Sequence, residues 1–258
     1  MAGDAWDPAQ YGRFRAERSR PFFDLLALVR PRPGARVVDL GCGTSELTRV
    51  LHERLGAAET LGIDSSAAML EKSAALAAAG LRFERADIAD LDAKRRWDVV
   101  FSNAALHWLP DHEALFAGLG RALADGGQLA VQMPANFDHV SHRAAAAVAA
   151  EAPFAALVGG GSHPADHVLS PEAYALLLQR LGFADQHVRL QVYVHRLPAR
   201  DDVVEWVKGT LLTDYERRLS PDDFREFLAR YRARLLAELP DVRPYVYTFK
   251  RLLLWAQR

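Results

Sequence analysis

The stretch ARVVDLGCGTSELTRVLHERLGAAETLGID, residues 35–64, constrains this chain more than any other. An apolar run at Val37 and Val38 ends in an acid, Asp39. A glycine turn follows at Gly41, Cys42 and Gly43, and then a helix-capable segment over 44–55. A second apolar run, 60–63, ends in a second acid, Asp64. Strand, tight glycine loop, helix, strand and acid is the order of a nucleotide-binding βαβ unit. Asp64 stands 21 residues after Gly43, close to the ~20-residue spacing at which an acid grips ribose hydroxyls.

The alternation continues. Ser65-Ser66 caps a helix predicted to reach about residue 79, and 81–85 reads as a strand leading to Ala86-Asp87-Ile88. A strand over 97–103 ends at Asn103, Pro110 opens a helix to about 124, and 128–133 is the fifth strand. The expected fold is therefore α/β, a Rossmann-like doubly wound sheet, mostly parallel with an antiparallel last strand, plus helical cap insertions. A single domain is expected. Residues 1–34 are an N-terminal flap and a helix opened by Pro21 over 21–30, and 35–133 is the ligand-binding core. Segments 134–169 and 198–244 are cap segments, with helices near 141–151, 200–213 and 220–239, and 245–258 is the last strand. Between the caps, 171–181 reads as a helix and 183–197 as an alternating strand.

Charge and cysteine usage narrow the partners. The 32 basic and 33 acidic residues balance to a net charge of −1, so bulk charge attracts no polyanion and nucleic acid is not expected. No apolar run approaches the ~18 residues of a membrane span, and MAGDAWDPAQ lacks the basic start and apolar centre of a secretory leader. One cysteine, Cys42, cannot form an internal disulfide and suits a reducing cytoplasm. These features predict a cytoplasmic protein with a small-molecule partner, a monomer or weak homodimer.

In an open parallel sheet the ligand lies outside the carboxyl ends of the strands. Here those ends are Asp39, Asp64, Asp87 and Asn103, four polar residues expected to converge on one crevice. The loop Gly41-Cys42-Gly43-Thr44-Ser45-Glu46 has no third glycine and no Walker lysine, and Glu46 would repel a diphosphate. That argues against a nicotinamide-dependent oxidoreductase. A zwitterion with one carboxylate and one ammonium fits better, with the helix N–H groups facing the carboxylate and Asp39 accepting from the ammonium.

The segments VVDLGCGTS, GIDSSAAML, ADI and SNAALHWLPD resemble the class I S-adenosylmethionine-dependent methyltransferases. WDPAQYGRFRAERSRPF, NAALHWLPDHEALF, LAVQMPANF and FKRLLLWA are more specifically similar to the trans-aconitate methyltransferases. The likeness covers most of 6–140 and thins beyond. It implies S-adenosylmethionine as cofactor. Gly41 and Gly43 would cradle its methionine part, with Asp39 behind them. Asp64 would take the ribose hydroxyls, Ser65 and Met69 would line the adenosine, and Asp87 and Ile88 would hold the adenine. Asn103 and Ala104 would border the methionine end, with His107 and Trp108 near the methyl group.

The expected reaction is methylation of a small-molecule acid at a carboxylate oxygen, the acceptor being trans-aconitate or similar to it. The alternatives are a secondary-metabolite hydroxyl or carbon, or a non-catalytic cofactor-binding protein. A carboxylate needs no general base, only cations for its sister carboxylates, and Arg18, Arg20, Lys250 and Arg251 are the candidates. A phenol or carbon would need one, and His107 or His195 would serve. Tyr11, Tyr193 and Trp206 are candidate acceptor-binding residues, with core packing the commoner role for a tryptophan such as Trp206. No metal site is expected: His163, Asp166 and His167 have suggestive spacing but no helix to fix them. His139 and His142 are expected on the surface, and Cys42 is expected to pack rather than react.

Overall fold

The computed structural model describes residues 15–92, 94, 96–159 and 164–258. Seven strands form one sheet in the order β3-β2-β1-β4-β5-β7-β6. They are β1 (Arg36–Leu40), β2 (Glu59–Asp64), β3 (Leu81–Arg85), β4 (Trp97–Asn103), β5 (Leu123–Pro134), β6 (Asp185–Leu197) and β7 (Tyr245–Gln257). Strands β3, β2, β1, β4 and β5 are parallel, and β7 runs antiparallel to β5 from Gln128 opposite Gln257 to Pro134 opposite Arg251. The strand order reverses between β1 and β4. That reversal is the switch point beside which a doubly wound sheet opens a crevice.

The chain divides into two compact units, with one division just after β5, between Ala135 and Asn136, and others inside β6 and β7. Among the described residues, the sheet unit comprises those of 16–135, 164–191 and 251–258. Its helices are α1 (Arg15–Leu26), α2 (Glu46–Leu55), α3 (Ala67–Leu70), α4 (His112–Ala122), α7 (Pro164–His167) and α8 (Pro171–Arg180). Among the described residues, the helical unit comprises 136–159 and 192–250. It holds α5 (Val140–Ala149), α6 (Phe154–Val158), α9 (Asp202–Lys208), α10 (Leu211–Arg218) and α11 (Pro221–Glu238).

Adjacent strand residues serve opposite faces of the sheet. Val38, Leu40, Val100, Leu129 and Val131 enter a core with Phe116, Leu119, Tyr174 and Leu177. Their neighbours Val37, Val99, Phe101 and Ala130 enter a second core with Phe22, Leu25, Leu51 and Leu55. Both faces are covered, which is why these strands read as unbroken apolar runs. The helical unit has its own core around Ala144, Val148, Trp206, Phe227, Tyr231 and Tyr247.

Several boundaries differ from expectation. The helix begun at Pro21 starts instead at Arg15 and carries Pro21 inside it. Burial of Phe22, Leu25 and Val29 outweighs the bond that the missing proline N–H would have made. The long helix after Ser65-Ser66 is only α3, followed by a 3₁₀ turn over Ser73–Leu76. There the Ser73 hydroxyl donates to the Leu70 carbonyl at 2.7 Å, competing with the helix ladder, and an alanine-rich sequence offers little apolar stripe to bury. Pro110 precedes rather than opens α4: Asp111 is the N-cap and accepts from the Ala114 N–H at 3.0 Å. The helix expected over 200–213 is two, α9 and α10, broken at Gly209-Thr210.

Candidate functional site

The carboxyl ends of β1, β2 and β4 are joined by short local bonds within the sheet unit. The Gly41 and Cys42 N–H groups both donate to the Ile63 carbonyl, at 2.8 and 2.9 Å, which locks the glycine loop onto the end of β2. Gly41 holds φ +75°, and a Cβ there would lie 2.2 Å from the Ala105 Cβ. Only glycine meets both demands. Gly43, at φ +54°, faces open space.

Asp64 is fixed by two backbone donors. Gly43 N–H donates to Oδ2 and Ser66 N–H to Oδ1, both at 2.9 Å. Each oxygen keeps an outer lone pair, so the clamped carboxylate can accept from a vicinal diol. Ser66 caps α3 through its Oγ, which accepts from the Met69 N–H at 3.1 Å, and Met69 is buried. Ser65 passes its carbonyl to the Arg85 guanidinium at 3.0 Å.

Asp39 is buried beneath the loop rather than presented to it. Thr48 Oγ1 donates to its Oδ2 at 2.6 Å. Burial pushes the carboxyl up to about 7, the Thr48 bond opposes the shift, and the Asp64 charge adds to it. Cys42 is buried as well, and burial pushes its thiol far above the ordinary range, in keeping with a packing role.

Asp87 is exposed and caps a short 3₁₀ turn, its Oδ1 accepting from the Ala89 N–H at 2.9 Å. Ile88 packs against the sheet core. At the end of β4, Asn103 lies in register with Gln132 of β5, and Ala104 holds φ +58°. Asn103 Oδ1 and Gln132 Nε2 are buried polar atoms without a partner among the described residues. A strained non-glycine backbone beside buried, unmet polar atoms is the usual signature of a site awaiting a ligand.

The next turn, Leu106–Trp108, carries His107, buried, with its ring 4.7 Å from that of Trp108. His112 holds this turn by donating from Nε2 to the Leu106 carbonyl at 3.1 Å, while its Nδ1 faces the Tyr174 hydroxyl. Burial lowers the His112 pKa, so the imidazole stays neutral and keeps that single orientation.

Of the remaining candidates among the described residues, only Arg251 reaches a residue of this strand end. His195, Tyr193 and Trp206 are buried in the helical unit, where the His195 ring stacks 4.2 Å from Trp206 and 6.3 Å from Tyr247. Arg20 is exposed, while Tyr11 and the Arg18 side chain lie outside the described residues. Lys250 pairs with Asp138, and Arg251 is buried with Nη1 3.4 Å from Gln132 Oε1. His163 is also outside the described residues. His139 and His142 are not on the surface: His142 is buried and His139 half-buried, because Tyr247 and Phe249 pack on their rings.

Thr48, Ala105 and Gln132 were not anticipated, whereas Ser66 caps α3 as expected. Thr48 had a signal: it shares the buried stripe of α2 with Leu51 and Leu55. Ala105 and Gln132 had none, since their partners are set by strand order.

Comparison with known proteins follows the same lines. Residues 11–188 match the family described as "Methyltransferase domain". Trans-aconitate 2-methyltransferase of Deinococcus radiodurans is 48% identical over 98% of both chains. The enzymes of that name from Methylobacterium nodulans and Mycobacterium tuberculosis are 43% and 37% identical, over 98% of this chain and 98% and 96% of theirs. The likeness therefore does not stop near residue 140. Among solved structures, YcgJ from Bacillus subtilis superposes with a TM-score of 0.61 at 13% identity, covering 92% of this chain and 97% of its own. Haemonchus contortus phosphoethanolamine N-methyltransferase 2, solved with S-adenosylhomocysteine, superposes with a TM-score of 0.53 at 17% identity, covering 93% of this chain and 52% of its own. These two likenesses speak to the fold alone.

Proposed function

The chain belongs to the trans-aconitate 2-methyltransferase family of S-adenosylmethionine-dependent methyltransferases, and on that premise we propose that it methylates a carboxylate oxygen of trans-aconitate or a closely similar polycarboxylic acid. The observation that carries this reading is the near-full-length likeness to several enzymes of that name.

The sheet unit fits the cofactor. The doubly clamped Asp64 suits a ribose diol, the open space over Gly43 suits a close backbone approach, and the unmet Asn103 and Gln132 atoms suit a polar amino-acid end. We assign Asp64 to the ribose and Gly41 and Gly43 to the methionine cradle, which Asp39 supports from below through its bond with Thr48. Ser65 and Met69 line the adenosine, Asp87 and Ile88 hold the adenine, and Asn103 and Ala104 border the methionine end. His107 and Trp108 wall the reacting end. When bound, S-adenosylmethionine supplies a methyl group already activated on a sulfonium sulfur.

The protein's own task is alignment and exclusion of water. A carboxylate acceptor is ionised at neutral pH, so no residue need remove a proton. His195 is then a wall of the helical unit beside Trp206 rather than a base. No helix among the described residues is long and apolar enough to cross a membrane. We place the reaction in the cytoplasm, in line with the single buried thiol.

The test is methyl transfer from labelled cofactor to a panel of trans-aconitate, other tricarboxylates, dicarboxylates and phenols. Transfer to trans-aconitate with an ester product is expected. Transfer to a phenol and to no acid would overturn the reading. Calorimetry with S-adenosylhomocysteine and with NADH checks the cofactor, and tight NADH binding alone would refute it.

A further inference from the structure

The turn that carries His107 and Trp108 is tied down by a chain of hydrogen bonds whose direction the backbone fixes. His112, the first residue of α4, places Nε2 3.1 Å from the Leu106 carbonyl. A carbonyl only accepts, so the ring carries its proton on Nε2 and its Nδ1 is an acceptor. The Tyr174 hydroxyl of α8 therefore donates to Nδ1, and its oxygen accepts from the Leu169 N–H at 3.3 Å. The chain runs from one backbone N–H to one backbone carbonyl, and neither end can turn round. His112 and Tyr174 are almost wholly buried. Burial lowers the His112 pKa and His167 acts in the same sense, while the Leu106 and Leu109 carbonyls and Asp111 oppose the shift.

These bonds do not serve α4 itself. Asp111 caps that helix, its Oδ1 accepting from the Ala114 N–H at 3.0 Å. The Phe116 and Tyr174 rings each lie 5.9 Å from the imidazole, and an apolar side chain could fill the same space without needing partners. A buried imidazole is costly unless its nitrogens are bonded. Here both are, and what they fix is the Leu106 carbonyl.

The backbone on either side of the turn is strained. Ala104 before it holds φ +58° and Asp111 after it holds φ +49°. Such conformations in non-glycine residues persist only where the surroundings over-determine them. The Ala104 N–H donates to the Gln132 carbonyl at 2.9 Å, and Ala105 lies against Gly41. The Leu109 N–H donates to the Leu106 carbonyl at 3.0 Å, the same oxygen that His112 holds. All of these residues belong to the sheet unit.

We propose that His112, backed by Tyr174, is a positioning residue for methyl transfer: its Nε2–H bond sets the backbone of the Leu106–Trp108 turn, and with it the wall of His107 and Trp108 against which the acceptor meets the methyl group. This rests on the reading above that His107 and Trp108 wall the reacting end. In this role His112 moves no proton. An in-line displacement tolerates little misalignment, so a shifted wall is felt in the chemical step. Cofactor affinity draws on other ties, the Asp64 clamp among them.

Two substitutions at one position separate the Leu106 bond from mere filling of the core. His112→Gln keeps an amide donor near Nε2. His112→Asn keeps polar atoms near Nδ1 but does not reach the Leu106 carbonyl. Both remove the ring and should lower Tm alike. In the full chain, with labelled S-adenosylmethionine and trans-aconitate, His112→Asn is expected to lose about 10–100-fold in kcat, with KM changed less and S-adenosylhomocysteine affinity unchanged. His112→Gln should recover most of that loss at the same Tm. Tyr174→Phe removes one oxygen and should lower kcat by up to about tenfold, as for one hydrogen bond. Equal kcat losses in His112→Gln and His112→Asn would make His112 a structural residue only and refute the proposal. So would wild-type kcat in His112→Asn. Should His112→Asn not fold, Tyr174→Phe decides, and wild-type kcat there refutes the proposal. If the wild type methylates a phenol and no acid, the polycarboxylate reading falls, and the same kcat comparison with the phenol judges His112. A wild type that methylates no acceptor of the panel overturns both.

Discussion

Gly41 is the most demanding single position in the sheet unit. Its φ of +75° is strained for any side chain, and the Ala105 Cβ occupies the place a new Cβ would take. Gly41→Ala is expected to cost about 1–3 kcal/mol, lowering the urea midpoint, and to weaken S-adenosylhomocysteine binding in calorimetry. Asp39 makes a different demand. Its carboxyl titrates near 7 in the folded chain against an ordinary value of 3.8, so the folded state holds its proton after the unfolded chain has released it. The cost of ionising it is absent below about pH 4, grows as pH rises and is complete above about pH 7, on the order of 4 kcal/mol. Asp39→Asn is therefore expected to flatten the decline of Tm across that window. A parallel decline in variant and wild type would show that other groups govern it. Tyr231 is the converse case, a buried hydroxyl without a partner among the described residues. Tyr231→Phe is expected to leave stability unchanged or to raise it by about 1 kcal/mol, read by urea denaturation.

At the scale of elements, legibility followed locality. The start of α8 at Ser170-Pro171 could be read directly, because a serine cap and a first-turn proline act within four residues, and the same pair, Ser220-Pro221, opens α11. The Ser220 Oγ accepts from the Asp223 N–H at 3.2 Å, and Ser220→Ala should lower stability by about 1 kcal/mol. The alternation of β6 was also readable, with Tyr193, His195 and Leu197 buried between outward residues. Elements settled by a contest between local and distant terms were not. Pro21 sits inside α1 because Phe22 and Leu25 are drawn into a core with Val37 and Leu51. The helix after Ser66 stops at α3, where the Ser73 hydroxyl donates to the Leu70 carbonyl and the alanine-rich sequence has little apolar surface to bury.

For the whole molecule, the residues assigned to the cofactor all belong to the sheet unit, whereas His139, His195 and Trp206 belong to the helical unit. Phe227 is fully buried in the helical core against Phe154 and Tyr215. Phe227→Ala should cost about 3–5 kcal/mol, yet S-adenosylhomocysteine should still bind. Saturating that ligand at a hundred times its Kd should stabilise the wild type by about 2.7 kcal/mol. Asp64→Ala should abolish the thermal shift, and a persisting shift would remove Asp64 from the ribose.

The amino-acid sequence determined the βαβ unit of residues 35–64 and the strand–helix alternation of a parallel sheet, which depend on contacts between residues near one another in the chain: a glycine turn, an apolar period, an acid at a strand end. The class of cofactor came with the resemblance to S-adenosylmethionine-dependent methyltransferases. The Asp64 clamp is local in the same sense, since both its donors lie in the loop before and the turn after β2. Tertiary structure alone decided the setting of His139. His139 reads in the sequence as a surface residue, because the Tyr247, Lys250 and Asn136 groups that bury and orient it come from two strand ends more than a hundred residues apart. Strand order brings those ends together, and no window of sequence contains them both.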